Sequence, residues 1–123
     1  MFSHIMIGSN DIDRSKKFYD ALFGAMGVEP ATPNAQGRLV YAHNGGRLIV
    51  TKPNDGKPTS PHNGGTIGLQ MKDAAMAEAW HKAGVANGGT SIEDSPGVRP
   101  NGAYLAYLRD PDGTKLVGVA RPA

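Results

Sequence analysis

Two copies of one pattern decide the fold of this chain: HIMIGSNDIDRSKKFYDALFGAMG at residues 4–27 and TIGLQMKDAAMAEAWHKAGVANGG at residues 66–89. The second copy follows the first at a constant distance of 62 residues, so that Asp73 corresponds to Asp11 (73 − 11). One small unit that occurs twice in a short chain predicts a pseudo-symmetric fold.

Each copy is predicted to form a strand and then a helix. Hydrophobic alternation predicts strands at residues 2–8 and 65–71, and apolar residues at helical spacing predict helices at 12–26 and 74–86. The side chains of Ser9-Asn10-Asp11 are suited to capping the first helix. Phe18 and Trp80, at equivalent places in the repeat, are predicted to be core residues of their helices.

A hairpin is predicted after each copy. Asn44-Gly45-Gly46 joins strands at residues 38–43 and 47–51. Asp110-Pro111-Asp112-Gly113 joins strands at 103–109 and 115–119, because Pro fixes φ, Asp binds its own backbone and Gly accepts positive φ. The hairpins correspond at a distance of 68 residues, as Arg47 and Lys115 show (115 − 47). A short strand at 90–92 and a loop at 96–102 precede the second hairpin. The sequence therefore predicts an α+β fold, with a helix on one face of the sheet in each unit.

Composition places the chain among globular domains. Its 123 residues, 39% hydrophobic and 20% charged, predict a single domain with module one at about residues 1–52, a Pro- and Gly-rich linker at about 53–64 and module two at about 65–123. The absence of cysteine excludes disulfides and thiolate sites and fits a cytoplasmic location. A net charge of +2 from scattered basic residues gives no support for nucleic-acid binding. No apolar run approaches the roughly 20 residues that span a bilayer, and no signal peptide is visible, so we expect no membrane association.

The chain resembles the vicinal oxygen chelate superfamily, which includes glyoxalase I, bleomycin-resistance proteins, fosfomycin-resistance proteins and extradiol dioxygenases. The segments that carry the resemblance are His4-Ile5-Met6-Ile7, the stretch DIDRSKKFY at 11–19, Asn63-Gly64-Gly65 and the stretch RDPDGTKL at 109–116. The resemblance covers nearly the whole chain. It implies two βαβββ modules that form a curved, eight-stranded mixed sheet around a cleft, and usually a homodimer.

The resemblance also implies where a metal ion would be held. In the metal enzymes of the family, four ligands come from the first and last strands of the two modules. These positions map to His4, to a residue of the segment 47–51, to Thr66 and to Val117. The repeat points to Ile49 in that segment, a slip of one residue is open, and no residue of 47–51 carries a carboxylate, an imidazole or a side-chain amide. Only His4 is a good ligand, whereas catalytic zinc sites keep three protein ligands. We therefore expect no metal cofactor, with His4 as the one surviving candidate ligand.

Candidate ligand-binding residues follow from the same mapping. His4 is either a hydrogen-bonded cleft histidine or a group that binds ligand or transfers protons. Arg99, in a Pro-rich loop, either pairs with an anionic substrate or is solvated. Tyr104 and Tyr107 have opposite strand parity, so only one of them faces the cleft. The predicted ligand-binding set is His4, Met6, Thr66, Arg99, Tyr104 and Val117.

The leading functional hypothesis is a metal-independent protein that binds a small molecule, with no catalytic residue assigned. The alternative is a metal-dependent enzyme of the glyoxalase or dioxygenase type, in which a shifted ligand set combines His4 with His43 or His62. His43, beside a turn, is expected at the rim of the cleft at most. A structural partner domain is the third hypothesis.

Overall fold

The computed structural model describes residues 1–122, and it has the predicted order of elements. The strands and helices are β1 (Ile5–Gly8), α1 (Ile12–Gly24), β2 (Leu39–His43), β3 (Gly46–Thr51), β4 (Ile67–Gln70), α2 (Ala74–Ala86), β5 (Thr90–Ser91), β6 (Gly97–Val98), β7 (Tyr104–Arg109) and β8 (Lys115–Ala120). β6 lies in a segment that was predicted to be a loop. No helix within residues 1–122 is long and apolar enough to cross a membrane.

Strand register confirms the internal repeat. β1 runs parallel to β3 with Ile5 opposite Leu48, and β4 runs parallel to β8 with Ile67 opposite Leu116. These are equivalent residues in the two copies, since Ile67 follows Ile5 by 62 residues (67 − 5) and Leu116 follows Leu48 by 68 (116 − 48). Both hairpins, β2–β3 and β7–β8, are antiparallel.

The α+β fold class is confirmed, but the eight strands divide between two open sheets. One has the order β1-β3-β2, and the other has the order β4-β8-β7-β5 with β6 paired to β7. The expected single curved sheet is corrected here, because the outer strands β1 and β4 do not pair with each other. Module one also has three strands and not four. Its segment at residues 28–38 contains Pro30 and Pro33, which cannot donate to a strand ladder.

The helices begin at equivalent aspartates. The Asp11 carboxylate accepts a hydrogen bond from the Arg14 amide at 3.0 Å, and the Asp73 carboxylate accepts one from the Met76 amide at 2.8 Å. Each aspartate thus satisfies an amide that the helix itself leaves unpaired. Near the end of α1, Gly27 has a φ of 80°, a conformation suited to glycine after a helix.

One hydrophobic cluster is built from both modules. Phe18 and Trp80 are fully buried, as their spacing predicted. The helices approach closely at Gly84, where an added Cβ would lie 2.4 Å from Leu108 Cδ1 and 3.1 Å from Leu22 Cδ1. The close contact of α1 with α2 therefore depends on a residue without a side chain.

Two polar contacts join α1 of module one to the turn between β7 and β8 of module two; we call them the clasp. In the first, the Tyr19 hydroxyl donates to Asp110 Oδ2 at 2.6 Å, and both residues are buried. Asp110 Oδ1 accepts from the amides of Asp112 and Thr114, each at 2.9 Å. Burial raises the pKa of Asp110, and burial together with the Asp110 carboxylate raises the pKa of Tyr19 well above its ordinary value.

The second contact of the clasp centres on Asp112, whose side chain is only 2% exposed. Its Oδ1 accepts from Arg14 Nη2 at 2.7 Å and from the Asn10 amide at 3.2 Å. Its Oδ2 accepts from the Ser15 hydroxyl at 3.4 Å. The two sequence stretches that carry the family resemblance, at the start of α1 and in the Asp-Pro-Asp-Gly turn, are therefore direct partners in space.

Candidate functional site

A groove of about 280 Å³ lies between the start of β1 and the whole of β4, the outer strands of the two sheets. We call it the seam groove. From module two it is lined by residues 67–70, and from module one by Phe2, His4, Ile5, Phe23, Met26, Tyr41, His43, Asn44, Gly46, Arg47 and Leu48. Four consecutive residues of β4 line it because the groove meets that strand edge-on.

The floor of the seam groove is apolar. Phe23, Met26 and Leu48 are almost fully buried there, and Ile5, Ile67 and Leu69 are partly buried and pack against the core. Such a floor removes the apolar part of a ligand from water at a gain of roughly 25 cal/mol for each Å².

Tyr41 belongs to this floor and is almost fully buried. Its ring stacks on Phe23 with centroids 4.8 Å apart, and its hydroxyl donates to Asp20 Oδ1 at 2.7 Å. The Asp20 carboxylate also accepts from the Ala31 amide at 3.1 Å and pairs with Lys16. Burial and the Asp20 carboxylate raise the pKa of Tyr41, so its hydroxyl stays protonated and keeps donating to Asp20. The polar tip is therefore occupied, and Tyr41 offers the groove an aromatic surface.

The rim of the seam groove is polar and contains no acidic residue among the described lining residues. His4 Nδ1 is 2.8 Å from the Ser3 hydroxyl, and the side-chain amide of Asn44 donates to His43 Nε2 at 3.1 Å. Arg47 is exposed, and the described chain gives its guanidinium no salt bridge. The rim therefore offers hydrogen-bond donors and a positive charge.

The backbone adds further groups at the strand edges. The Ser9 amide donates to the Thr51 carbonyl and the Met71 amide to the Val119 carbonyl, both at 2.8 Å. In a parallel pair, alternate residues direct their backbone groups to opposite sides of the strand. Gly68 in β4, three residues before Met71, therefore directs its amide and carbonyl to the free edge that faces the groove.

Of the six residues predicted to bind ligand, His4 lines the seam groove. Met6 is 39% exposed and Thr66 is also exposed, and neither lines the groove. Val117 is nearly buried in β8, where it lies opposite Gly68. For these residues the ligand-binding assignment stays a prediction.

Arg99 and Tyr104 lie elsewhere in module two. The Arg99 guanidinium donates to the carbonyl oxygens of Ser95 at 3.2 Å and Gly97 at 3.1 Å, so it holds its own loop together. Tyr104 is partly buried and packs against the core, and it pairs in register with Val98 and Ala120. Their assignment to ligand also stays a prediction.

His43, which the sequence placed at the rim of the cleft at most, is among the residues that line the seam groove. Tyr41 of β2 and Arg47 of β3 also line the groove; the sequence suggested Tyr41 as an aromatic residue of the cleft or of a dimer interface, but it indicated only an exposed strand charge for Arg47. The available signal was the hairpin turn at residues 44–46, which brings the end of β2 and the start of β3 beside the start of β1.

The residues at the mapped metal positions do not fit a divalent ion. Ile49 lies opposite Met6 and Val117 lies opposite Gly68, so two of the four positions present hydrocarbon. Thr66 supplies a hydroxyl, a poor ligand beside a single imidazole. Within residues 1–122, no three His, Asp or Glu side chains lie close enough together to hold a metal ion.

Comparison with known proteins agrees with this fold. The model of the Glyoxalase/Bleomycin resistance protein/Dioxygenase superfamily matches residues 1–117. A glyoxalase/bleomycin resistance protein from Albidiferax ferrireducens T118 is 47% identical, with a TM-score of 0.94 and 99% of each chain covered. No match was found among curated proteins.

Two more distant structures share the fold alone. A lactoylglutathione lyase from Agrobacterium tumefaciens is 21% identical, with a TM-score of 0.68, 98% of this chain covered and 92% of that one. Oxidase ChaP-H1 is 18% identical, with a TM-score of 0.73, 99% of this chain covered and 96% of that one. The family match over residues 1–117 and the relative at 47% identity place the chain: it belongs to the glyoxalase/bleomycin resistance protein/dioxygenase superfamily.

Proposed function

We propose that this protein binds a small organic molecule in the seam groove and does so without a resident metal ion. The observation that carries the proposal is the apolar floor with a polar rim. The volume of the seam groove, about 280 Å³, is close to the lower end of the roughly 300–1,000 Å³ that is typical of ligand pockets. A concave apolar surface with a few polar groups at one end both binds and orients a small ligand.

The donor set supports the metal-independent part of the proposal. Ile49 and Val117 are aliphatic and Thr66 is neutral, which leaves His4 as the one strong donor among the four mapped positions. A single imidazole does not supply the three or four ligands that hold zinc in proteins. No chemical step through a metal is therefore assigned.

Ligand binding is tested with a fragment library and two matched variants. Leu69→Trp places an indole in the seam groove, whereas Val98→Trp places one on the exposed β6 strand, where Val98 is 71% exposed. Fragments that bind should shift the amide NMR signals of residues 67–70, and these shifts should disappear in Leu69→Trp and persist in Val98→Trp. A library that leaves residues 67–70 unperturbed would refute the proposal, as would binding that Leu69→Trp does not weaken.

The alternative, a metal-dependent enzyme of the glyoxalase or dioxygenase type, is favoured by one observation. His4 and His43 both line the seam groove, whereas His62 does not. Elemental analysis of the purified protein, with thermal melts in Ni²⁺, Zn²⁺, Mn²⁺ and Fe²⁺, separates the two functions. One metal ion per chain that survives dialysis, with metal-dependent turnover of hemithioacetals or catechols lost in His4→Ala, would establish the enzyme. No bound metal and no shift of the melting temperature would support the binding protein.

We also propose that the protein is a homodimer. The support is that β2 and β5, the outer strands at the ends of the two open sheets opposite β1 and β4, also have an uncovered edge, and such an edge invites pairing with another chain. The exposed side chain of Met6 on β1 adds apolar surface outside the seam groove. Light scattering at micromolar concentration should give twice the mass of 12.9 kDa. A monomeric mass would refute the proposal.

A further inference from the structure

We infer that the ligand of the seam groove is a small amphipathic carboxylate, whose anionic end is held by Arg47 at the rim while its apolar end lies on the floor. This inference rests on the proposed function, because it names the ligand class of the same groove. Four observations support it: the unpaired guanidinium of Arg47, the absence of acidic residues from the described lining, the further hydrogen-bond donors at the rim and the apolar side chains of the floor.

Arg47 differs from Arg14, Arg38, Arg99 and Arg109 in having no partner for its guanidinium among residues 1–122. Arg14 pairs with Asp112, and the guanidinium groups of Arg38, Arg99 and Arg109 donate to oxygens of the chain itself. A guanidinium presents a planar fork of donors that matches the two oxygens of a carboxylate. Arg47 is exposed and is among the residues that line the groove.

No Asp or Glu is among the described residues that line the groove, so no internal charge competes for Arg47. A cationic ligand would meet Arg47 with nothing to neutralise its own charge, which is unfavourable. A neutral ligand would leave the exposed guanidinium of Arg47 to water alone. The local charge therefore selects for an anion.

Further donors surround the position that the anionic end would take. The imidazoles of His4 and His43 and the side-chain amide of Asn44 belong to the same rim. The backbone amide of Gly68 points to the free edge of β4, across the groove. A carboxylate has about four acceptor positions, and a site with several donors can satisfy them.

The floor determines the other half of the ligand. Phe23 and Tyr41 stack on each other with an interplanar angle of 19°, and both line the groove together with Met26. Aromatic surfaces and flexible methionine side chains suit an aryl or short alkyl group. The ligand class is therefore an aryl- or alkyl-carboxylic acid small enough for a groove of about 280 Å³.

Three probes with one skeleton test this inference: 4-phenylbutyrate, its neutral carboxamide and 4-phenylbutylamine. Each is titrated into ¹⁵N-labelled protein, and affinity is read from the amide shifts of residues 67–70. We expect the carboxylate to bind about tenfold more tightly than the carboxamide, since hydrogen bonds between ionised groups are roughly twice as strong as neutral ones. The amine should bind most weakly. Higher salt should reduce this selectivity, because the rim is exposed.

Two charge-matched variants locate the effect. Arg47→Gln should lower the affinity of the carboxylate to that of the carboxamide and leave the carboxamide unchanged. Lys82→Gln removes the same charge from the exposed face of α2, outside the groove, and should leave the ratio of affinities as it is. Equal binding of carboxylate and carboxamide, tighter binding of the amine, or an equal loss in Lys82→Gln would overturn the anionic class while the binding function stands. Absence of shifts with all three probes would overturn both.

Discussion

Replacement of Tyr19 by Phe removes one hydroxyl from the clasp and should destabilise the whole fold. That hydroxyl is the donor to Asp110 Oδ2, at 2.6 Å, and both side chains are buried. The Asp110 carboxylate would keep its two amide donors on Oδ1 but lose the donor on Oδ2. Loss of one hydrogen bond to a charged group costs about 1.5–3 kcal/mol of unfolding free energy. For a chain of this size, we expect the melting temperature to fall by roughly 5–12 °C.

The effect should depend on pH in a defined direction. Burial raises the pKa of Asp110 in the folded state, so this group binds its proton more tightly there than in the unfolded chain. Its contribution to stability is therefore fully present below the unfolded pKa of about 3.9 and is lost as pH rises through the folded pKa. Without the Tyr19 hydroxyl the folded pKa rises further. The difference between wild type and Tyr19→Phe should accordingly be larger at pH 7 than at pH 4.

The assay is urea unfolding at both pH values, with Tyr107→Phe as the control. Tyr107 is a partly buried residue of β7, and its ring lies 5.1 Å from Lys115 Nζ, a contact that Phe preserves. The control should change stability by less than about 0.5 kcal/mol. Equal stability of Tyr19→Phe and wild type, or a larger difference at pH 4 than at pH 7, would refute the reasoning.

Other predictions concern the helices and their packing. Gly84→Ala should lower the free energy of unfolding by about 1–3 kcal/mol, because its Cβ would lie 2.4 Å from a leucine methyl. Gly24→Ala, with open space around its Cβ, should be neutral or stabilising, and thermal melts of the two variants compare them. Asp11→Ala and Asp73→Ala should each cost about 0.5–2 kcal/mol in urea unfolding, and an Asn at either position should restore most of the loss. At Asp20, burial raises the pKa, while hydrogen bonds from Lys16 and Tyr41 lower it, and the net result is a lowered pKa. The contribution of Asp20 to the free energy of unfolding is therefore present above about pH 3.9 and is lost as pH falls through the folded pKa. Acid titration of Asp20→Asn should therefore show a shallower loss of stability than wild type, and an unchanged slope would contradict this assignment.

The repeat made much of the fold predictable from the sequence. The correspondence of Asp11 with Asp73 predicted two helices with equivalent starts, and the turns at residues 44–46 and 110–113 predicted both hairpins. The division into two sheets was not predictable in this way. Local patterns specify each strand but not which outer strands pair, because that pairing is made between residues far apart in the chain.

The candidate site was only partly predictable for the same reason. His4 was identified because the resemblance assigns a role to its position, and His43 because it ends a strand beside a turn. Arg47 reads in sequence as an ordinary exposed strand charge, and its significance depends on the absence of acidic neighbours in space. Arg99 was a candidate for binding an anionic ligand in the sequence, but in the structure its guanidinium donates to carbonyl oxygens of its own loop.

The clasp also bears on the order of events during folding. The Asn10 amide and the Asp112 carboxylate that it contacts are 102 positions apart in the chain, and Tyr19 and Asp110 are 91 apart. Contacts across such separations carry a large loop-closure entropy, so we expect them to form after the local hairpins and helices, on the native side of the rate-limiting barrier. Substitutions in the clasp should then accelerate unfolding and leave the refolding rate almost unchanged. The clasp would thus set how long the native state persists more than how quickly it is reached.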